Sequence, residues 1–175
     1  PFKLSNFNII EHNNSLTLVS NISSEVYRAI GDTLYHFGYN QQHYALQFSP
    51  YIYIDTVLYS FGGYGFWTTK NILRFWNDTN GWTPITFPES SLALKPAHSS
   101  TLHYSKPYLY VIGGRVQNNK NALIDEPQRF LQRINLKTKE IVLQEMPISF
   151  SNEDLLFKQG DSIVSISDNN YFLYN

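Results

Sequence analysis

Three aromatic side chains follow a glycine pair in a short segment suited to ligand binding. Tyr64, Phe66 and Trp67 come directly after Gly62-Gly63, and this segment lacks the alternation of apolar and polar residues that marks a strand. Aromatic rings on loops of a rigid scaffold suit stacking on sugar rings or insertion into a protein partner. We therefore predict that they bind a ligand. In the alternative interpretation, Phe66 and Trp67 fold back onto the core.

An arginine occupies the equivalent position after a second glycine pair. Arg115 follows Gly113-Gly114 and is followed by a polar segment at 116–125. A guanidinium group can hold a carboxylate through two parallel hydrogen bonds. We therefore predict that Arg115 binds a ligand, and we include His43 as a candidate ligand-binding residue beside it. In the alternative interpretation, Arg115 pairs with a neighbouring Asp or Glu.

The sequence contains no motif for binding a metal ion or a cofactor. Its five histidines (12, 36, 43, 98 and 103) show no spacing that places two imidazoles on one metal ion, and the chain has no cysteine. We interpret His36, His98 and His103 as packed or hydrogen-bonded structural residues. A G-x-S-x-G nucleophile motif and a phosphate-binding loop are both absent from the sequence. We predict no metal, no cofactor and no catalytic residue.

The composition excludes several classes of partner. The 175 residues include 13 basic and 14 acidic side chains with no basic cluster, which argues against nucleic acid as a partner. The sequence has no run of about 18 apolar residues, which argues against membrane insertion. A chain without cysteine is compatible with any compartment, and the composition favours a secreted or periplasmic setting.

Most of the chain has the pattern of short β-strands. Runs such as Tyr51–Ile54, Val57–Phe61 and Tyr108–Ile112 are rich in β-branched and aromatic residues, and Asn, Gly, Asp, Ser and Pro separate them. Only residues 126–130 suggest a helical turn, and Pro127 argues against a long helix there. The sequence therefore predicts an all-β fold of the sandwich, barrel or propeller type.

An internal repeat narrows the fold class further. Residues 58–63 (LYSFGG) and 109–114 (LYVIGG) share the form Leu-Tyr-x-hydrophobic-Gly-Gly and lie 51 residues apart, and Trp82 follows the first copy on a further predicted strand. This pattern resembles the kelch repeat, which has a period of about 50 residues. The resemblance implies a β-propeller, in which four-stranded blades surround a central channel.

The resemblance implies one propeller region over residues 1–175. We expect a strand pair of a closing or preceding blade at 7–20, a short degenerate blade at 25–48, blades at 50–87 and 97–146, and the start of a further blade at 155–175. Six or seven blades of about 50 residues each need a longer chain. We therefore expect an incomplete ring or a piece of a larger propeller, with further blades of the same protein as partners. A complete ring of about four blades is the alternative.

Two known classes of propeller enzyme can be compared with this sequence. The copper site of galactose-oxidase-like propellers needs a cysteine, which this chain lacks, and residues 77–83 have the wrong order for a sialidase Asp-box. We predict a non-catalytic binding module that recognises a protein or a glycan through loops at the propeller mouth. The alternative is a kelch-type carbohydrate-processing enzyme such as a sialic acid mutarotase, with Arg115 and His43 or Glu126 in one enclosed pocket. A purely structural set of blades is a third hypothesis.

Overall fold

The structure is a computed structural model. It describes residues 4–37, 46–65, 68–89, 91–118, 121 and 124–145, together with the backbone of the strands at 155–159, 162–167 and 170–174. Apart from a single 3-10 turn at Leu4–Asn6, the regular secondary structure of this described part consists of β-strands. None of its helical segments is long and apolar enough to cross a membrane. The all-β prediction is confirmed.

The first sheet contains four antiparallel strands that neighbour one another in chain order. They are β1 (Phe7–His12), β2 (Ser15–Ser20), β3 (Val26–Ile30) and β4 (Thr33–His36). In this region the sequence pattern predicts a strand pair at 7–20 and a separate short blade at 25–48. The structure instead joins the strands between residues 7 and 36 into one sheet, which we call the first blade.

The turn between β2 and β3 explains this difference. The Ser20 hydroxyl accepts a hydrogen bond from the backbone N–H of Ser23 at 3.1 Å, and the N–H of Ser24 donates to the Ser20 carbonyl at 2.9 Å. A hydroxyl that satisfies backbone donors in this way stabilises a tight turn. The turn brings Val19 opposite Val26, so the two strands pair directly.

The second and third blades are four-stranded antiparallel sheets, and each carries an added hairpin after its second strand. The second blade and its hairpin contain β5 (Tyr51–Ile54), β6 (Val57–Phe61), β7 (Tyr64–Gly65), β8 (Thr68–Thr69), β9 (Leu73–Asn77) and β10 (Gly81–Pro84). The third contains β11 (Thr101–Ser105), β12 (Tyr108–Ile112), β13 (Arg115–Gln117), β14 (Asp125–Pro127), β15 (Phe130–Asn135) and β16 (Ile141–Glu145). A three-stranded sheet follows, formed by β17 (Leu155–Gln159), β18 (Ser162–Ser167) and β19 (Asn170–Tyr174).

The core lies between the faces of successive blades. One buried cluster joins the first blade to the second through Val19, Val26, Leu58, Trp76 and Trp82. Trp82 packs between the blades, as the repeat pattern predicts, and its indole N–H donates to the Ser24 carbonyl at 2.7 Å. A second cluster joins the second blade to the third and includes Phe61, Leu73, Leu109, Val111 and Ile134. Because the second blade is covered on both sides, its strands are apolar almost continuously.

The glycine pairs allow the chain to leave each blade. Gly63 has a φ of +96°, and Gly114, at the same point of the third blade, has a φ of +88°. A Cβ atom on Gly63 would lie 2.1 Å from the Ser49 hydroxyl oxygen. Only glycine satisfies both the left-handed backbone and this close approach. The hairpins at β7–β8 and β13–β14 start directly after these pairs.

Candidate functional site

The two added hairpins project from the same end of the second and third blades. Each pairs with the segment that leads into its own blade, since Gln47 bridges Tyr64 and His98 bridges Arg115. Gln47 and His98 are 51 residues apart, and so are Tyr64 and Arg115. We call this end of the blades, formed by the two hairpins and the segments 46–50 and 97–100, the mouth. The repeat thus places Tyr64 and Arg115 at equivalent points of the mouth.

Two of the five predicted ligand-binding residues can be placed in the structure. Tyr64 and Arg115 are both partly buried at the mouth. His43, Phe66 and Trp67 lie outside the described residues, so their role as ligand-binding residues stays a prediction.

The two faces of the β13–β14 hairpin carry different groups. Gln117 lies opposite Asp125 and shares a face with Arg115, whereas Val116 lies opposite Glu126 on the other face. This alternation follows from strand geometry, since successive side chains point to opposite faces. The enzyme hypothesis expected Arg115 and Glu126 to converge in one enclosed pocket. Because they lie on opposite faces of the hairpin, they do not.

The Arg115 guanidinium is held by a main-chain oxygen. Its Nη2 donates a hydrogen bond to the backbone carbonyl of Asp125 at 2.9 Å. Within the described ranges, no Asp or Glu side chain forms an ion pair with Arg115. The alternative interpretation expected Arg115 to pair with a neighbouring carboxylate. In the structure its guanidinium instead contacts a neutral backbone carbonyl. A guanidinium has five N–H donors, so donors remain for a ligand.

Gln117 connects the two hairpins into one surface. Its side-chain oxygen accepts a hydrogen bond from the Thr69 backbone N–H at 3.1 Å, and its side-chain nitrogen is 3.4 Å from the Tyr64 hydroxyl. The Gln117 backbone N–H also donates to the Thr69 hydroxyl at 3.4 Å. Because these bonds join β8 to β13, Tyr64 and Arg115 lie on one continuous surface.

His98 lies beneath this surface and is bonded through both ring nitrogens. Its Nε2 is 3.1 Å from Asp125 Oδ2, and its Nδ1 is 3.2 Å from the Ser99 hydroxyl oxygen. A carboxylate only accepts hydrogen bonds, so we assign the proton of the neutral ring to Nε2, and Nδ1 then accepts from Ser99.

The surroundings of His98 favour its neutral form. Burial lowers the pKa of His98 below its usual value, the Asp125 carboxylate opposes this shift, and the positive charge of Arg115 adds to it. Burial disfavours a charged ring because a charged group loses hydration in the interior. His98 is therefore a neutral imidazole at pH 7.

Two aromatic rings flank His98. The Tyr64 ring meets it edge-on with a centroid distance of 6.1 Å, and the Phe48 ring is tilted at the same centroid distance. Phe48 is 60% exposed. An exposed phenyl ring beside His98 offers a ligand an apolar contact.

Two cavities are lined by residues other than Arg115. One of about 290 Å³ is lined by apolar side chains and by the buried Arg74, whose guanidinium lies 4.4 Å from the centroid of the Trp82 ring. Burial lowers the pKa of Arg74. The other cavity, of about 340 Å³, is lined by Val116, Glu126 and the segment 127–130. In the part of the chain that is described, no group of His, Asp and Glu side chains is arranged to hold a metal ion.

Sequence reasoning missed Phe48, Ser99, Gln117 and Asp125 as residues of the mouth. For Phe48 and Ser99 the sequence signal is their spacing of 51 residues, and in the structure both have a left-handed backbone, with φ of +57° and +53°. Asp125 carries no such signal. It reaches the site only because the hairpin register places it opposite Gln117.

The arrangement of blades and hairpins matches a known fold. The chain resembles the solved structure of YjhT. The TM-score is 0.71 at 17% sequence identity, and the match covers 92% of this chain and 57% of the YjhT chain. This chain therefore spans little more than half the length of YjhT. The likeness and the four-stranded sheets show that the chain consists of β-propeller blades. No protein-family model and no curated protein sequence matches the chain.

Proposed function

We propose that the mouth binds a carbohydrate that carries a carboxylate group. The observation that carries this proposal is the Arg115 guanidinium, which is held by the Asp125 carbonyl and has no carboxylate partner among the described residues. A ligand carboxylate supplies the counter-charge and accepts hydrogen bonds from the donors that remain.

The groups around Arg115 complement a sugar ring. Tyr64 offers an aromatic face and a hydroxyl, and Gln117 holds that hydroxyl in place. Sugars present both C–H faces and hydroxyl groups, so an aromatic ring beside polar side chains suits them. The rigid link between the hairpins reduces the entropy that binding costs. These features favour a glycan over a flat protein surface as the partner.

The second candidate function is a carbohydrate-processing enzyme such as a sialic acid mutarotase. The observation that favours it is the His98–Asp125 pair beside Arg115, because a neutral imidazole next to a bound sugar can transfer protons. The likeness to YjhT supports the fold that both candidates require. The two candidates share a ligand class and differ in turnover.

Calorimetric titration tests binding with N-acetylneuraminate and D-glucuronate as acidic probes and D-glucose as the neutral probe. We expect the chain to bind at least one acidic probe more tightly than glucose. Hydrogen bonds to a charged group contribute about 1.5–3 kcal/mol, so Arg115→Ala is expected to weaken binding of that probe about tenfold or more.

Arg133→Ala is the matched control. Arg133 is an exposed arginine on β15 whose guanidinium lies over the Tyr108 ring, and its loss is expected to leave the affinity unchanged. Equal affinity for glucose and the acidic probes, or no effect of Arg115→Ala, contradicts the proposal. Faster anomer exchange of N-acetylneuraminate in NMR spectra, lost in Arg115→Ala, decides for the mutarotase.

A further inference from the structure

Three side chains at the mouth form a continuous hydrogen-bonded series. Ser99 Oγ is 3.2 Å from His98 Nδ1, and His98 Nε2 is 3.1 Å from Asp125 Oδ2. A hydroxyl, an imidazole and a carboxylate in this order can activate the hydroxyl as a nucleophile. We propose that Ser99 is the nucleophile of a carboxylic ester hydrolase, with His98 as its general base and Asp125 as the positioning residue.

The burial of the three side chains suits these roles. Ser99 is exposed, so its hydroxyl is open to a substrate. The His98 side chain is 6% exposed and the Asp125 side chain is 36% exposed, so the base is shielded from water while the carboxylate orients it. Because Asp125 accepts the proton on Nε2, the lone pair of Nδ1 faces the Ser99 hydroxyl. The lowered pKa of His98 keeps this lone pair free at neutral pH.

The second blade shows that the fold does not require this series. Gln47 and Phe48 occupy the positions of His98 and Ser99, with the same backbone bridge to the hairpin and the same left-handed φ at the second residue. The backbone of this segment is therefore a shared feature of the blades. The hydroxyl, imidazole and carboxylate, by contrast, occur in the third blade and have no counterpart at Gln47 and Phe48 of the second. The shared blade architecture therefore does not explain why these three side chains are present.

The surroundings of Ser99 indicate the substrate class. The Ser99 backbone N–H donates to the Phe48 carbonyl at 2.8 Å, and the exposed Phe48 ring lies 6.1 Å from the His98 ring between centroids, so a phenyl group lies near the proposed nucleophile. Phe48 suits a small acyl group, and Arg115 suits a carboxylate on the alcohol portion. The substrate is thus an O-acyl ester of an acidic sugar. The choice of alcohol rests on the proposed function, whereas the nucleophile does not.

The reaction is balanced with water as the only co-reactant. Ser99 Oγ attacks the ester carbonyl carbon while its proton moves to His98 Nδ1. The C–O bond to the alcohol breaks, and the alcohol leaves with the proton from Nδ1, which produces an acyl-serine. Water then attacks the acyl carbon and gives one proton to Nδ1. The bond to Ser99 breaks, the carboxylic acid leaves, and the proton returns to Ser99 Oγ.

Two measurements on the full chain test the nucleophile. A fluorophosphonate probe is expected to label one serine, located at Ser99 by peptide mass spectrometry. Hydrolysis of 4-nitrophenyl acetate is expected to exceed the buffer rate and to fall to it in Ser99→Ala. Ser99→Gly provides a second variant, since glycine accepts the left-handed backbone of this position without strain.

The chain offers matched controls for the serine and for the histidine. Ser15 is exposed and its hydroxyl bonds the His12 carbonyl rather than a ring nitrogen, so Ser15→Ala is expected to keep full labelling and full hydrolysis. His98→Gln copies the residue at the equivalent position of the second blade, so the variant is expected to fold. It is expected to lower the rate about 100-fold or more.

Asp125→Asn tests the positioning role through the pH profile of hydrolysis. With the carboxylate lost, the pH at which the rate reaches its plateau is expected to fall along with the rate itself, and Asp125→Glu is expected to restore part of the rate. A purely structural Asp125 would leave the pH profile unchanged. Labelling at another serine, or unchanged hydrolysis in a folded Ser99→Ala, overturns the proposal.

The hydrolase proposal and the binding proposal fail separately. Titration of Ser99→Ala with the acidic sugars measures binding without the nucleophile. Normal binding with no Ser99 labelling in the original chain rejects the hydrolase alone. Ser99 labelling with no sugar binding rejects the proposed ligand alone.

Discussion

At the scale of single residues, the protonation of His98 depends on the charged side chains around it. Asp125 and Arg115 both face its ring, and they act in opposite directions on its protonation. Desolvation has the largest effect, because the side chain is 6% exposed. The charge state of His98 therefore reports the geometry of the whole cluster.

NMR titration of His98 measures these opposing effects. We expect a pKa below the usual value in the original chain, a still lower pKa in Asp125→Asn, and a higher one in Arg115→Gln. The carboxylate stabilises the charged ring, and the guanidinium destabilises it. A rise of the pKa in Asp125→Asn contradicts the assigned contact.

The same shift affects stability, with a sign that follows from linkage. The folded state holds His98 neutral, so the unfolded state binds more protons as the pH falls below the usual histidine pKa of about 6.5. This contribution to the free energy of unfolding is present above that pH and is lost as the pH falls toward the lowered folded pKa. Urea unfolding is expected to show a smaller loss between pH 7 and pH 5 in His98→Gln than in the original chain.

At the scale of elements, the glycine pairs control where the hairpins begin. Gly63 and Gly31 both have positive φ, at +96° and +58°, but only Gly63 is crowded. Nothing lies within 4 Å of a Cβ atom built on Gly31, whereas one on Gly63 would meet Ser49. Comparing Gly63 with Gly31 therefore separates the energetic cost of the left-handed backbone from the cost of the steric clash.

Gly63→Ala is expected to destabilise the chain far more than Gly31→Ala. A left-handed alanine costs about 1–2 kcal/mol, which applies to both variants. At Gly63 the backbone and Ser49 must also move, which disrupts the start of β7 and the position of Tyr64. Urea unfolding gives both free energies. Equal losses would show that the contact with Ser49 has no energetic importance.

At the scale of the whole molecule, stability comes from the stacking of blades. The first blade presents Val19 and Val26 to the second, and its other face carries Ile9, Leu16 and Leu34, which are 41–54% exposed. The exposed face has the apolar character of the buried one. The prediction that further blades are partners of this chain remains a prediction, and this face is the surface that they would cover.

Truncation on the two sides of the first interface separates buried from exposed packing. Leu58 is 1% exposed between the first two blades, so Leu58→Ala is expected to cost about 2–5 kcal/mol. Ile9 is 54% exposed, and Ile9→Ala is expected to change stability by about 0.5 kcal/mol or less. Thermal and urea unfolding measure both variants. A small effect at Leu58 would show that the blades are not firmly stacked.

Much of the fold follows from local patterns. The β-branched and aromatic runs predict the strands, and the repeat at 58–63 and 109–114 predicts two corresponding blades with Trp82 between blades. The sequence pattern did not predict that the four strands β1, β2, β3 and β4 form one sheet. The Ser20 turn closes a hairpin between β2 and β3, where the pattern suggests a break between repeats.

The sequence by itself determined the β character, the repeat and the equivalence of Tyr64 and Arg115, since strand propensity and glycine conformation act within a few residues. Only the tertiary structure decided which groups meet at the mouth. Asp125 bonds His98 across 27 residues, and Gln117 bonds Thr69 across 48. Such contacts depend on hairpin register and on the stacking of separate blades. Neither is encoded in the local spacing of the residues involved.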